Sequence, residues 1–355
     1  MMPRVVLAAL LAWSVLAFFP ANAATSAAGA QTDPVAGDSA QTSSVLAWMK
    51  GYRAKPEPAR LPAAAIAMSR FGAFREPDAA GLYVGFIAGV LNANPGRADK
   101  LVAGMLPIAP EDHWVIVRAI AYSGLPQWRA LLKNYAPRLP TRSVMIDAYL
   151  TGKLPTLGQF AMPETRTAMQ QVQRAVTFWK KDEPPAIRLE PSPLAMETLW
   201  GFYFATGSDW PLQRLLGLLP WSEDHNDVAR LTIGSTAKYT LANYAARDAR
   251  LLTAIKRLRP SAGPEATPVL DKVIFAAETV EIEPIRAEAQ AAIADLRARG
   301  PDYKRKVAWW GQVGEGAISL GCVVAAATGQ AYLGLPCVIG GATASAMLRY
   351  FGAER

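Results

Sequence analysis

Two stretches of this chain repeat one another. Gly85-Phe86 and Pro95 match Gly201-Phe202 and Pro211 at a constant offset of 116 positions, and Leu106-Pro107 matches Leu219-Pro220 after a slip of three. The only two histidines, His113 and His225, follow one slip later in the same tripeptide, Glu111-Asp112-His113 and Glu223-Asp224-His225. A chain that carries one unit twice must bury the same apolar pattern twice, which makes a repeat architecture the first expectation.

The pattern inside the units is helical. There is no sustained alternation of apolar and polar residues and no Asn-Gly or Asp-Gly turn. Apolar residues instead recur three and four apart between Pro and Gly punctuation. The spacing predicts helices from Ser43-Ser44 through Tyr52, over Leu61–Phe71, and from Pro77 to Asn94-Pro95. It predicts further helices over Ala98–Leu106, Pro110–Tyr122, Pro126–Tyr135, Thr141–Leu150 and Glu164–Lys180. Asp182–Pro193, with four prolines, reads as a linker, and the second copy starts at Leu194. Pro268–Val280 and Pro284–Arg299 complete the series. The aromatic stripes of Tyr83, Phe86, Trp200, Phe202, Tyr203 and Phe204 stand at helical spacing and are expected in the core between helices.

Consecutive short helices with an internal repeat predict an all-α superhelix of helical hairpins, carrying an internal duplication and a C-terminal apolar hairpin. The helical-repeat body covers 43–260, with duplicated units near 80–135 and 195–258. Connecting helices with a basic cluster occupy 264–306, and an apolar Gly-rich hairpin occupies 307–355. The stretch Leu199-Trp200-Gly201-Phe202-Tyr203…Ala205-Thr206-Gly207, followed by Leu212, Leu215, Leu216 and Leu219, resembles the helix-turn-helix units of tetratricopeptide-type repeat proteins. The same stretch is similar to exported bacterial helical proteins of uncharacterised activity. The likeness covers two segments of about forty residues and departs from a regular tetratricopeptide repeat in period. It implies a binding or scaffold role by analogy only.

Compartment is read from the first residues. Arg4, an apolar run from Val5 to Phe19 and small residues before Ala24 make a secretory signal peptide over 1–23. A spacer poor in large apolar side chains follows over 24–42. Export makes the periplasm the expected location, with membrane association as an extension of it. It also fits a disulfide between Cys322 and Cys337, the only two cysteines. Net charge is +8, spread along the chain. In an exported protein that points to another envelope protein, an anionic lipid or a membrane surface as partner, rather than to nucleic acid, and leaves oligomer formation open.

Three constellations carry chemistry. The Glu-Asp-His tripeptides could supply metal ligands or a carboxylate-oriented base across the duplicated fold. Their helix-start chemistry is the stronger reading, since Pro110 and Ser222 precede the acidic pairs and suit the first helical position and the N-cap. Ser235-x-x-Lys238 is the nucleophile pattern of penicillin-binding proteins, but no Lys-Thr-Gly or Ser-Asp-Asn accompanies it. Arg297, Arg299, Lys304, Arg305 and Lys306 precede Trp309-Trp310 and an uncharged run from Gly316 to Leu348. The glycine-broken run reads as a helical hairpin expected first to dock on the repeat domain, and otherwise to form an interaction surface at a membrane or partner. No cofactor motif and no metal pattern is found. The leading expectation is therefore a non-catalytic periplasmic binding or assembly module. The runner-up is a peripheral membrane or pore-associated component acting through the C-terminal hairpin, and the third is a hydrolase using the Glu-Asp-His pairs or Ser235 and Lys238.

Overall fold

The chain was described from a computed structural model that covers residues 44–162 and 187–285, together with 287, 288 and 291. Among these residues helix is the only regular element, and the single β-bridge, between Phe160 and Leu189, is isolated. Helix α1 occupies 44–51 and α2 Leu61–Arg70. Five helices follow: α3 Gly81–Ala93, α4 Ala98–Met105, α5 His113–Tyr122, α6 Trp128–Tyr135 and α7 Ser143–Leu150. Five more run in the second half: α8 Pro193–Thr206, α9 Asp209–Leu216, α10 Val228–Ala245, α11 Ala249–Leu258 and α12 Thr267–Thr279. The sequence-predicted helices over these ranges are present, with ends within a few residues.

Helix ends follow local chemistry. Ser192 caps α8 by accepting a hydrogen bond from Ala195 N at 3.2 Å, with Pro193 as first helical residue. Gly207, at φ 66°, takes the left-handed conformation that stops α8 and turns the chain into α9. Asp227 and Asp248 cap α10 and α11, each with one carboxylate oxygen accepting two backbone N–H groups.

Helices α3 and α8 form the centre. They are apolar on almost every face, as suits helices wrapped on every side, with Glu197 and Thr198 of α8 the buried polar exceptions. Every residue of α3 from Gly81 to Leu91, and of α8 from Ala195 to Ala205, is buried. The two run parallel, because Gly81, Gly85 and Gly89 meet Leu194 and Glu197, then Thr198, then Phe202 and Ala205 in ascending order. Contact is backbone to backbone. A Cβ placed on Gly85 would collide with the Thr198 carbonyl, and one on Gly201 with the Leu82 carbonyl. These two collisions exchange when 116 is added to one partner and subtracted from the other. The densest packing thus joins segments more than a hundred residues apart, not chain neighbours.

The remaining helices wrap this pair into one continuous core that runs from Val45 to Ile285. Trp48 of α1 and Tyr52 just after it stand edge-on to Phe86, with ring centroids 5.2 and 5.3 Å away. Trp200 of α8 stands edge-on to Tyr244 of α10 at 4.8 Å. All six residues of the predicted aromatic stripes are buried. At Gly234 the absent side chain lets the backbone of Trp221 and Ser222 lie against α10. The described end of the predicted linker is held in place: Leu189 N donates to Gln159 O at 3.0 Å and Ala161 N donates to Leu189 O at 2.8 Å.

Candidate functional site

The two Glu-Asp-His tripeptides occupy different local structures. In the first, Pro110–Asp112 is a 3-10 turn leading straight into α5, which begins at His113. Asp112 is buried and accepts a hydrogen bond from Ser69 Oγ at 2.6 Å, while Ser69 Oγ accepts one from Ala109 N at 3.2 Å. His113 donates from Nε2 to Leu106 O at 3.2 Å. The carboxylate and the imidazole therefore tie α5 to α2 and to the end of α4. In the second, Glu223 ends a 3-10 turn over Leu219–Glu223, and Asp224 and His225 lie between that turn and α10. The expectation of a helix start capped by Ser222 is corrected here. Ser222 Oγ donates to Leu219 O at 2.8 Å, and Asp227 is the N-cap of α10, accepting from Ala229 N at 2.9 Å and Arg230 N at 3.2 Å. Helix α10 starts at Val228, three positions after His225, whereas α5 starts at His113 itself. Among the described residues no group of three or more His, Cys, Asp or Glu side chains could hold a metal ion.

Glu223 joins a different cluster. Its Oε1 lies 3.7 Å from Lys238 Nζ and 3.6 Å from Lys272 Nζ. Glu288 pairs directly with Lys238, and its other oxygen is 3.1 Å from Lys272. Burial pushes the Glu288 carboxyl up, but the two ammonium groups outweigh it and hold it below its usual range; Lys272 is raised mainly by its bond to Glu288. Lys238 is buried, and its Nζ is paired with carboxylates rather than with the neighbouring buried Ser235. Sequence spacing had grouped Lys238 with Ser235; folding groups it with two glutamates.

Two clefts open on the described surface. One, of about 470 Å³, lies beside the 3-10 turn that carries Trp221 and is walled by Leu216, Pro220, Leu258 and Pro264. Arg230 stacks over the Trp221 ring at 5.3 Å and pairs with Asp224 at 3.5 Å on its rim. The larger, of about 670 Å³, lies where the carboxyl ends of α3 and α8 meet α1 and the first turns of α11. Tyr52, Tyr203, Arg53, Arg250 and Arg257 are among the residues that line it.

Arg53 is fixed in this larger cleft. It donates from Nη1 to Tyr203 Oη at 2.9 Å, pairs through Nη2 with Asp248, and lies over the Tyr203 ring at 4.7 Å. Arg257 pairs with Asp209. Burial raises the Tyr52 and Tyr203 hydroxyls above their ordinary range, so both keep their protons at neutral pH. Sequence reading missed this cleft because it draws on four separated segments. Its only sequence signal is arginine and tyrosine near helix ends.

The basic cluster Arg297, Arg299, Lys304, Arg305, Lys306, the pair Trp309-Trp310 and both Cys322 and Cys337 lie outside the described residues, as do the signal-peptide and spacer segments. No described helix is long and apolar enough to cross a membrane. No protein-family model, no curated protein and no solved structure matches the chain.

Proposed function

We propose that this chain is an exported helical binding or assembly module without catalytic activity, built from two copies of one helical unit. The duplication reading is supported by the order of helices, α3 to α7 against α8 to α12, and by the seam between α3 and α8. There Gly85 abuts Thr198 and Gly201 abuts Leu82, the pairing that a local two-fold axis between equivalent residues produces. The tetratricopeptide-like hairpins of the sequence reading are retained in this proposal as neighbouring pairs such as α8 and α9. They are arranged around a central pair rather than along an open row.

The observation that carries the functional reading is the fate of the reactive-looking groups. Asp112 and His113 hold helices together, Glu223 and Lys238 neutralise each other, and Asp224 pairs with Arg230. None is left in a nucleophile–base arrangement. Binding, by contrast, needs only a shaped surface with unspent polar groups, and the large cleft at the end of the seam has one. Export to the periplasm rests on residues 1–23, and envelope proteins or anionic lipids are the proposed partners.

The test is to incubate full-length protein with an envelope extract and to analyse what remains bound by mass spectrometry. Bound molecules are expected chemically unchanged, and fluorophosphonate and β-lactam probes are expected to leave Ser235 unlabelled. Turnover abolished by His113→Gln with His225→Gln, or Ser235 labelling abolished by Ser235→Ala, would replace this reading with a hydrolase.

A further inference from the structure

The large cleft has an excess of one kind of hydrogen-bonding group. Tyr52 is 1% exposed, and its hydroxyl accepts a long contact of 3.5 Å from Asn94 Nδ2. Tyr203 is also 1% exposed, and its hydroxyl accepts from Arg53. Neither phenol donates its proton to any described residue. A buried O–H with an unspent donor costs free energy until something accepts from it. Arg250, exposed on the cleft wall, has no side-chain partner among the described residues, and only its backbone N–H is used, by Asp248. Three guanidiniums stand against the two carboxylates that pair with Arg53 and Arg257, so Arg250 remains uncompensated. The carboxyl ends of α3 and α8 add partial negative charge on one wall, and the amino end of α11 offsets it on the other.

The walls between these donors are apolar. The rings of Tyr52 and Tyr203, with Pro56, Ala93, Ala205 and Ala254, leave a cleft of about 670 Å³, within the size range of small-molecule sites. A ligand that satisfies unspent donors must be an acceptor without donors, and one that wets apolar walls must carry a hydrocarbon body. We propose that this cleft binds an amphiphilic oxyanion, a carboxylate or phosphate on an apolar body. The oxyanion would accept hydrogen bonds from the Tyr52 and Tyr203 hydroxyls and the Arg250 guanidinium, and the body would lie along the tyrosine rings. This deepens the binding-module reading and rests on it.

Isothermal titration of the full-length protein with octanoate, octyl phosphate, octanol and inorganic phosphate tests the proposal. Octanoate or octyl phosphate should bind saturably at one site, whichever is tighter naming the headgroup. Octanol and inorganic phosphate should each bind at least about tenfold more weakly, since each lacks one half of the recognition. Arg250→Met lies on the surface and leaves the fold intact; it should weaken the better anion by about tenfold. Tyr52→Phe should do the same by removing one oxygen. Octanol binding as tightly as octanoate, anion affinity unchanged in both variants, or no saturable anion binding would overturn the proposal. Failure with these probes while other molecules still co-purify unchanged would sink the cleft inference and leave the binding module standing. Saturable anion binding accompanied by turnover would do the reverse.

Discussion

Replacing Gly201 by alanine tests the seam that organises the fold. Glycine in the middle of a helix costs about 0.8–1.0 kcal/mol relative to alanine, so an unobstructed Gly201→Ala would stabilise the protein. Here the added Cβ would collide with the Leu82 carbonyl and sit 2.7 Å from Phe86 N, whereas ordinary contact begins at 3.4 Å. Relieving the Phe86 contact alone requires the helices to part by about 0.7 Å, and the closer Leu82 carbonyl requires more. The opposing atoms are backbone, so no side chain can rotate aside. Overpacking of this kind costs about 1–3 kcal/mol, and the rigid partner argues for the upper end. Subtracting the propensity gain leaves a net loss of about 2 kcal/mol. For a domain of this size that is a fall in Tm of roughly 4–8 °C. Urea and thermal unfolding followed by far-UV circular dichroism measure it directly. Gly51→Ala is the control, because a Cβ there meets nothing within 4 Å; it should raise stability by a few tenths of a kcal/mol. Gly85→Ala should resemble Gly201→Ala. The double variant should cost less than the sum, since helices already parted by one methyl admit the second. A Gly201→Ala protein as stable as the parent, or strictly additive losses in the double variant, would refute the close parallel seam.

Three further expectations follow from single residues. Glu197 is fully buried against α3; burial raises its carboxyl well above the usual range, and the nearby Leu82 and Gly81 amides oppose this to a smaller extent. A carboxyl that keeps its proton in the fold after the unfolded chain has lost it makes stability fall as pH rises from the ordinary carboxylate range. Tm should therefore decline as pH rises above the ordinary carboxylate range, and Glu197→Gln should flatten the decline; an unchanged slope would remove Glu197 as its source. Asp227→Ala should cost about 1 kcal/mol by uncapping α10, and Ser222→Ala markedly less, the opposite ranking restoring Ser222 as the cap. Val280 ends α12 at φ 58° and is 67% exposed, so Val280→Gly should relieve left-handed strain and stabilise by about 1 kcal/mol. A destabilised variant in the same unfolding assay would show that Val280 is not strained.

The helices were legible because their signals are local. Proline and glycine near each end, with apolar residues three and four apart, place α2, α4 and α12 to within a few residues. The second tripeptide shows where local reading fails. Glu223-Asp224-His225 shares every residue with its counterpart, yet three more positions separate it from its helix, and Asp227 displaces Ser222 as the cap. Pairing partners were illegible for a related reason. Lys238 has Ser235 one turn away in sequence, but Glu223 and Glu288 are brought to it by packing, and no spacing rule connects 223, 238, 272 and 288. The cleft is harder still, since none of its four segments is unusual alone.

Gly85 and Gly201 stand 116 positions apart in matching sequence contexts. In the fold they face the partner helix at the same layer, where neither can carry a side chain. The layers on either side carry a glycine on α3 only. A Cβ on Gly81 would be 2.8 Å from Glu197 Cβ, and one on Gly89 would be 2.7 Å from Ala205 Cβ. Each outer layer has room for one Cβ only, so glycine on α3 is the condition for glutamate and alanine on α8. If the chain is a duplication, identical copies would have placed two equal side chains on the axis at each layer, and only glycine pairs satisfy that packing. Divergence at 81/197 and 89/205 is then possible in one helix at a time, while the 85/201 layer, closest of the three, tolerates none. The same constraint fixes the parallel register of α3 and α8, and with it brings their carboxyl ends together beneath Tyr52 and Tyr203. The cleft is thus a consequence of the seam, and a substitution that parts the helices at Gly201 would be felt there.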